Sequence, residues 1–218
     1  MRRLAVFDLD HTLLADDSDH LWGRWLVEQG LVEAGVYATE NERFYQLYTA
    51  GTLDIHEYAA FMLQPLVEHP VEKMLALRER FVREWIVPVV APGTPALLAR
   101  HLAQGDELLI TSATSRFITE PIAALLGVPN LLATDPEQQD GRYTGRIAGI
   151  PNFQAGKVAR LRNWLSEHAP PFTHLTAYSD SRNDIPLLEE AHTAIAVDPD
   201  PVLRATAEAR GWQVISLR

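Results

Sequence analysis

Leu4-Ala5-Val6-Phe7-Asp8-Leu9-Asp10-His11-Thr12, at the head of the chain, is a short apolar run that ends in two aspartates spaced i, i+2, with a threonine two residues on. In an extended strand, residues two apart point the same way. Asp8 and Asp10 are therefore expected to crowd at the mouth of a buried strand, where two carboxylates repel unless a cation joins them. Such a pair suits a divalent metal and a carboxylate nucleophile. A calcium loop also opens Asp-x-Asp, but Leu13 stands at its glycine position and Asp19 at its glutamate position.

Downstream of this strand, residues 15–90 read as helix after helix. Leu21, Trp22, Trp25 and Leu26 form one apolar stripe, and Phe44, Tyr45, Leu47 and Tyr48 another, closed by Gly51. Asp54 with Glu57 reads as a capping box. Leu75, Phe81, Val82 and Trp85 mark a longer helix stopped near Pro88. Core packing is the expected role of Trp22, Trp25 and Trp85.

From Pro92 the rhythm becomes alternating. Helices are expected at 94–104, 116–127 and 156–167, strands at 107–111, 131–133, 174–178, 193–197 and 212–216, and a hairpin at Asp140-Gly141. This alternation implies a doubly wound, Rossmann-like α/β fold with a mostly parallel sheet, whose ligands gather at the carboxyl ends of the strands. The division is then 1–14 and 91–218 for the core domain and 15–90 for an inserted helical cap.

Bulk properties narrow the function classes. The 218 residues are 47% hydrophobic and 22% charged, an ordinary globular balance. The net charge of −10, with no basic stretch, excludes general nucleic-acid binding. No run nears the roughly 18 apolar residues of a membrane span. The apolar segment after Met1-Arg2-Arg3 is too short for a signal peptide and reads as a strand. With no cysteine there are no disulfides or thiolate metal sites, and the cytoplasm is the default location. The eight histidines show no metal-ligand spacing.

Four features fall where strands should end: Asp8-x-Asp10-x-Thr12; Ser112 after Leu108-Leu109-Ile110-Thr111; Lys157 after Gly156; and Ser179-Asp180-Ser181-Arg182-Asn183-Asp184. Phosphoryl transfer needs a nucleophile, a bridging cation, donors for the equatorial oxygens and a proton donor for the leaving group. Asp8, Asp10 and Asp180 offer the oxygens that a hard cation prefers. Ser112 could hold phosphate oxygens at a helix N-terminus, or simply cap that helix, with Thr111 its nearest competitor. Lys157 offsets the gathered negative charge.

In motif order and residue type this set resembles the haloacid dehalogenase superfamily of phosphatases over residues 3–197, and the insertion is similar to the C1-type cap of its phosphoserine-phosphatase-like branch, subfamily IB. The resemblance implies Mg²⁺ as cofactor, Asp8 as the nucleophile that becomes an aspartyl-phosphate, and Asp10 as general acid and then base. It makes Ser112, with Ala113 beside it, and Lys157 phosphate ligands, and it places Asn183 on the phosphate side. Asp180 joins Asp8 and Asp10 at the metal, and Asp184 supports the metal or Lys157. The branch often carries two glycines after the serine, where Ala113 and Thr114 stand here. P-type ATPases carry threonine at the position of Asp10, and dehalogenases lack the aspartate, so the implied reaction is phosphomonoester hydrolysis of a small phosphorylated metabolite.

By the same resemblance Asp17 stands where phosphoserine phosphatases hold the substrate ammonium. Their cap arginine for the substrate carboxylate has no counterpart in Ile55-His56-Glu57-Tyr58-Ala59-Ala60-Phe61-Met62. The opening motif, Ser18-Asp19 and Gly156-Lys157-Val158 look most like a bacterial subgroup that includes histidinol-phosphatases, whose substrate has an ammonium and an imidazole but no carboxylate. Phosphoserine, or another small-molecule or lipid phosphate, is the alternative. A non-catalytic phosphate-binding module would have lost Asp8, Asp10 or Lys157. A phospho-accepting signalling domain would need neither Asp10 as an acid nor a cap.

Overall fold

The computed structural model describes residues 2–218. Six parallel strands form the central sheet: β1 (Arg3–Phe7), β2 (Glu107–Ser115), β3 (Asn130–Thr134), β6 (His174–Ser179), β7 (Thr193–Val197) and β8 (Gln213–Ile215), in spatial order β3-β2-β1-β6-β7-β8. The strands read as continuous apolar runs because both faces of the sheet are covered. Alternate residues feed opposite cores: Ala5, Phe7, Leu108, Ile110, Ile195 and Val197 lie on one face, and Leu4, Val6, Leu109, Ala194 and Ala196 on the other. A separate antiparallel hairpin, β4 (Pro136–Gln139) and β5 (Arg142–Ile147), turns at Asp140-Gly141.

Crossover helices α5 (Thr94–Ala103), α6 (Arg116–Leu125), α7 (Ala155–Ser166), α8 (Ile185–Glu190) and α9 (Pro201–Arg210) connect the strands. The register levels Phe7 with Ile110 on one side and with Tyr178 on the other. Asp8, Thr111-Ser112 and Ser179-Asp180 therefore emerge side by side at the carboxyl edge.

Between β1 and α5 the chain leaves the sheet through α1 (Ser18–Glu28), α2 (Ala34–Ala50), α3 (Ile55–Glu68) and α4 (Val71–Phe81), the last continued by wider and then tighter turns to Val89. Asp17, Glu33 and Asp54 cap α1, α2 and α3 with their side chains. Gly51 closes α2 at φ 75°, a left-handed conformation that costs glycine nothing. The capping box at Asp54 is only half made, because Glu57 turns to Arg43 (2.8 Å) instead. Outgoing and returning strands of chain pair at a neck: Leu14 bridges Val90, Ala15 N–H reaches Val89 O at 2.6 Å, and Ala91 N–H reaches Leu13 O at 3.0 Å. Trp22 and Trp25 are buried against Phe81, and Trp85 packs on Trp25. None of the described helices is long and apolar enough to cross a membrane.

Candidate active site

Asp8 leaves the end of β1 with its N–H on Tyr178 O (2.9 Å), so its backbone is still held by the neighbouring strand. The chain then makes one wide turn, Leu9–Leu13, closed by Leu14 N–H on Leu9 O at 3.0 Å. His11 takes φ 54° within it. Across that turn the two aspartates take different partners. Asp8 faces Lys157, whose Nζ lies 2.7 Å from Asp8 Oδ1 and 2.7 Å from Asp184 Oδ2. Asp10 faces β2, where its carboxylate accepts from Thr114 Oγ1 (2.9 Å) and Ser112 Oγ (3.2 Å), and it also accepts from the N–H of Ser18 at the start of α1 (2.7 Å).

Lys157 reaches this position because α7 starts after a constrained loop. A Cβ on Gly156 would stand 2.0 Å from the carbonyl oxygen of Pro151, so only glycine fits. Asn152, fully buried, donates from Nδ2 to Thr111 Oγ1, Ser112 O and Leu132 O, and so ties the loop to β2 and β3. Thr111 is thereby occupied away from the aspartates, and Ser112 is the hydroxyl that faces Asp10. Ser112 does not sit at a helix N-terminus as expected. The strand runs on to Ser115, whose own hydroxyl caps α6. Ala113 lines the pocket beside it.

The last motif divides its work. Asp180 accepts from Thr12 Oγ1 (3.0 Å), joining first and last motifs. Asp184 is bound by Lys157 and by Ser179 Oγ (2.8 Å), and Asn183 accepts from Gln154 (3.2 Å) while donating to Tyr48 O of α2 (3.3 Å). Asp10 is thus bonded toward β2 and Asp184 toward Lys157 and Ser179, while Asp8 and Asp180 keep oxygens to offer.

Those two fit a divalent cation. Asp8 Oδ2 is buried with no hydrogen-bond partner. Burial, with Asp184 and Asp10 adding to it against the pull of Lys157, pushes Asp8 up to about 7. Burial, and then Asp8, drives Asp180 well above the carboxylate range. Asp8 keeps a free oxygen beside its bond to Lys157, and Asp180 has only the Thr12 hydroxyl as side-chain donor. Mg²⁺ is commonly held by one or two carboxylates plus water and substrate phosphate, a donor set that Asp8 and Asp180 can supply. The Lys157 ammonium, between two carboxylates that outweigh the cost of burial, is held charged.

Beyond the aspartates the pocket opens between the carboxyl edge of the sheet and helices α1–α3, lined by Asp17, Asp19, Tyr45, Tyr48 and Tyr58 among others, with no Lys or Arg among the described lining residues. Asp17 spends Oδ1 on the N–H groups of Asp19 (2.9 Å) and His20 (2.8 Å) as the cap of α1. Burial and the neighbouring Asp10 hold its carboxyl well above the usual range. Thr12, Thr114, Asn152, Asp19 and Tyr58 carry no role in the sequence reading. Thr12 and Thr114 sit within or beside the motifs and Asp19 belongs to the Ser18-Asp19 pair, whereas nothing local marks Asn152 and Tyr58.

The haloacid dehalogenase-like hydrolase family model matches residues 5–189. A protein named histidinol-phosphatase from Neisseria meningitidis serogroup C (strain 8013) is 39% identical over 222 residues, covering 100% of both chains. A solved structure of a protein of unknown function from Bordetella pertussis Tohama I matches with a TM-score of 0.94 at 44% identity, again over 100% of both chains. A substrate-bound phosphoserine phosphatase complex matches with a TM-score of 0.73 at 19% identity, over 99% of this chain and 93% of the other. That likeness is one of fold.

Proposed function

The chain belongs to the haloacid dehalogenase-like hydrolases and is a phosphatase of that family; we propose that it hydrolyses a small, cationic phosphomonoester, L-histidinol phosphate, through a phosphorylated Asp8. The observation that carries the chemistry is the Asp8–Lys157–Asp184 ion triplet with Asp8 Oδ2 left unpaired at the pocket floor. The observation that carries the substrate is a pocket walled by Asp17, Asp19 and tyrosines with no cationic side chain among its described lining residues. Such a wall suits an ammonium or imidazolium and leaves a substrate carboxylate without a partner, which disfavours phosphoserine.

A carboxylate oxygen of Asp8 attacks phosphorus, and the bond from phosphorus to the ester oxygen breaks. The Asp10 carboxyl gives its proton to the departing alkoxide. Ser112 and Lys157 steady the equatorial oxygens, and Lys157 also keeps Asp8 aligned. Asp10, now a carboxylate, takes a proton from water as the water oxygen attacks phosphorus, which releases phosphate and restores Asp8. Mg²⁺ bound by Asp8 and Asp180 would neutralise the phosphate and the nucleophile in both halves. The helices of residues 15–90 serve as a lid that excludes bulk water and selects the leaving group, with Asn183 touching the lid at Tyr48.

The test is Mg²⁺-dependent phosphate release from histidinol phosphate, phosphoserine and a range of sugar, glycerol and lipid phosphates, with Asp8→Asn as the blank. Histidinol phosphate is expected to lead in kcat/KM. Release that survives Asp8→Asn would overturn the mechanism, and absence of histidinol phosphate turnover would remove the substrate.

A further inference from the structure

Asp19 is a buried carboxylate that the reaction does not use. It is 5% exposed, in the first turn of α1, and it lines the substrate pocket. Its partner there is a neutral hydroxyl: Tyr58, from α3, donates to Asp19 Oδ2 at 2.9 Å. The helix dipole favours an acid in a first turn, but an exposed acid would satisfy it equally. Burying a carboxylate without a cation is costly, and no described lining residue is a Lys or Arg. Lys157 is taken by Asp8 and Asp184, and burial first of all drives His20, the remaining basic group in the wall, toward its neutral form. The tyrosine rings of Tyr45, Tyr48 and Tyr58 around the same space suit a flat cation, which an aromatic face attracts.

We infer that Asp19, held in place by Tyr58, is a specificity-determining residue that receives a second basic nitrogen of the substrate while Asp17 receives the first. The site then selects phosphomonoesters that carry two basic nitrogens, one of them in a flat ring, over esters with one or none. This rests on the phosphatase reading above. Tyr58 fixes the carboxylate through one oxygen and leaves the other for the ligand.

The experiment compares kcat and KM of the full chain with Mg²⁺ on histidinol phosphate (two basic nitrogens), phosphoethanolamine (one) and p-nitrophenyl phosphate (none). In wild type, kcat/KM is expected to fall in that order. Asp19→Asn should lower the histidinol phosphate to phosphoethanolamine ratio by about tenfold or more, the size of one lost hydrogen bond to a charged group, and chiefly through KM. Tyr58→Phe should move the ratio the same way by less. An unchanged ratio in Asp19→Asn, or an equal loss on all three esters, would overturn the inference and make Asp19 structural. Wild type that cleaves p-nitrophenyl phosphate without favouring the dibasic ester would sink this inference and leave the phosphatase reading standing. Failure to cleave any of the three would sink both.

Discussion

Lys157 Nζ stands equally far, 2.7 Å, from Asp8 Oδ1 and from Asp184 Oδ2, and all three side chains are buried. Removing the ammonium leaves two carboxylates facing each other without a counter-charge. Lys157→Met should therefore cost about 3–5 kcal/mol of stability, a fall of roughly 10 °C in Tm for a chain of this length. Turnover of p-nitrophenyl phosphate should fall by about 10²–10³-fold. The double variant Lys157→Met/Asp184→Asn separates the two effects. It should regain part of the Tm by removing one orphaned charge, yet regain no turnover; recovery of turnover would show that Lys157 acts only by keeping the fold.

The division of the four carboxylates is testable with the metal alone. Asp8 and Asp180 offer oxygens, whereas Asp184 is bound by Lys157 and Ser179. Chelation should abolish activity and Mg²⁺ should restore it, with a rise in Tm from binding to the folded state only. Asp180→Asn should remove most of that rise. Asp184→Asn should lower the starting Tm and keep the rise. Titrating Mg²⁺ against Tm for the two variants decides it, and a larger loss of the Mg²⁺ effect in Asp184→Asn would put Asp184 on the cation.

Gly156 tests whether the loop before α7 aims the lysine. Its absent Cβ would meet the Pro151 carbonyl oxygen at 2.0 Å, and that oxygen is backbone, which cannot swing aside as a flexible side chain could. Gly156→Ala must therefore shift the loop. Near-attack geometry is sensitive to displacements of about 1 Å, which can cost roughly 10²-fold in rate. The expected result is a loss of that order in kcat together with a lower Tm. A crystal structure of the variant with Lys157 still bridging Asp8 and Asp184 would show that the glycine serves the fold alone.

The sheet was legible from residues 3–8, 107–111, 174–178 and 193–197 because a parallel strand buried on both faces is built mostly of apolar residues. The exit of β2 was less so. Ser112-Ala113-Thr114-Ser115 has the polarity of a loop, and it stays extended because Asp10 and Asn152 bond to it from elsewhere in the chain. The same long-range bonds decide which of Thr111 and Ser112 faces the aspartates, since neighbours in a strand point oppositely. Asp19 and Tyr58 lie 39 residues apart, in two helices whose mutual placement no local pattern encodes. Period and composition carry elements, and the partners of individual polar groups need the fold.

Asp19 also predicts a cost of its own. Burial foremost, opposed by the Tyr58 hydrogen bond and aided by Asp10, raises its carboxyl to about 7 from an ordinary value of 3.8. Between those two values the folded chain holds a proton that the unfolded chain has released, so stability contributed by this group falls as pH rises and levels off above about 7. An amide at this position accepts the same Tyr58 hydrogen bond and does not titrate. Asp19→Asn should accordingly match wild type in Tm near pH 4 and exceed it by several degrees at pH 8, since about 1 kcal/mol is worth roughly 2–4 °C here. Saturating Mg²⁺ in both proteins keeps the Asp8 and Asp180 carboxylates out of the difference. Thermal melts of the two proteins across pH 4–8 read this directly. A difference that is flat with pH, or that grows toward pH 4, would mean that Asp19 is not held against its own ionisation. A gap that opens with pH would instead show a residue kept at the expense of stability, as a group that waits for a cationic ligand must be.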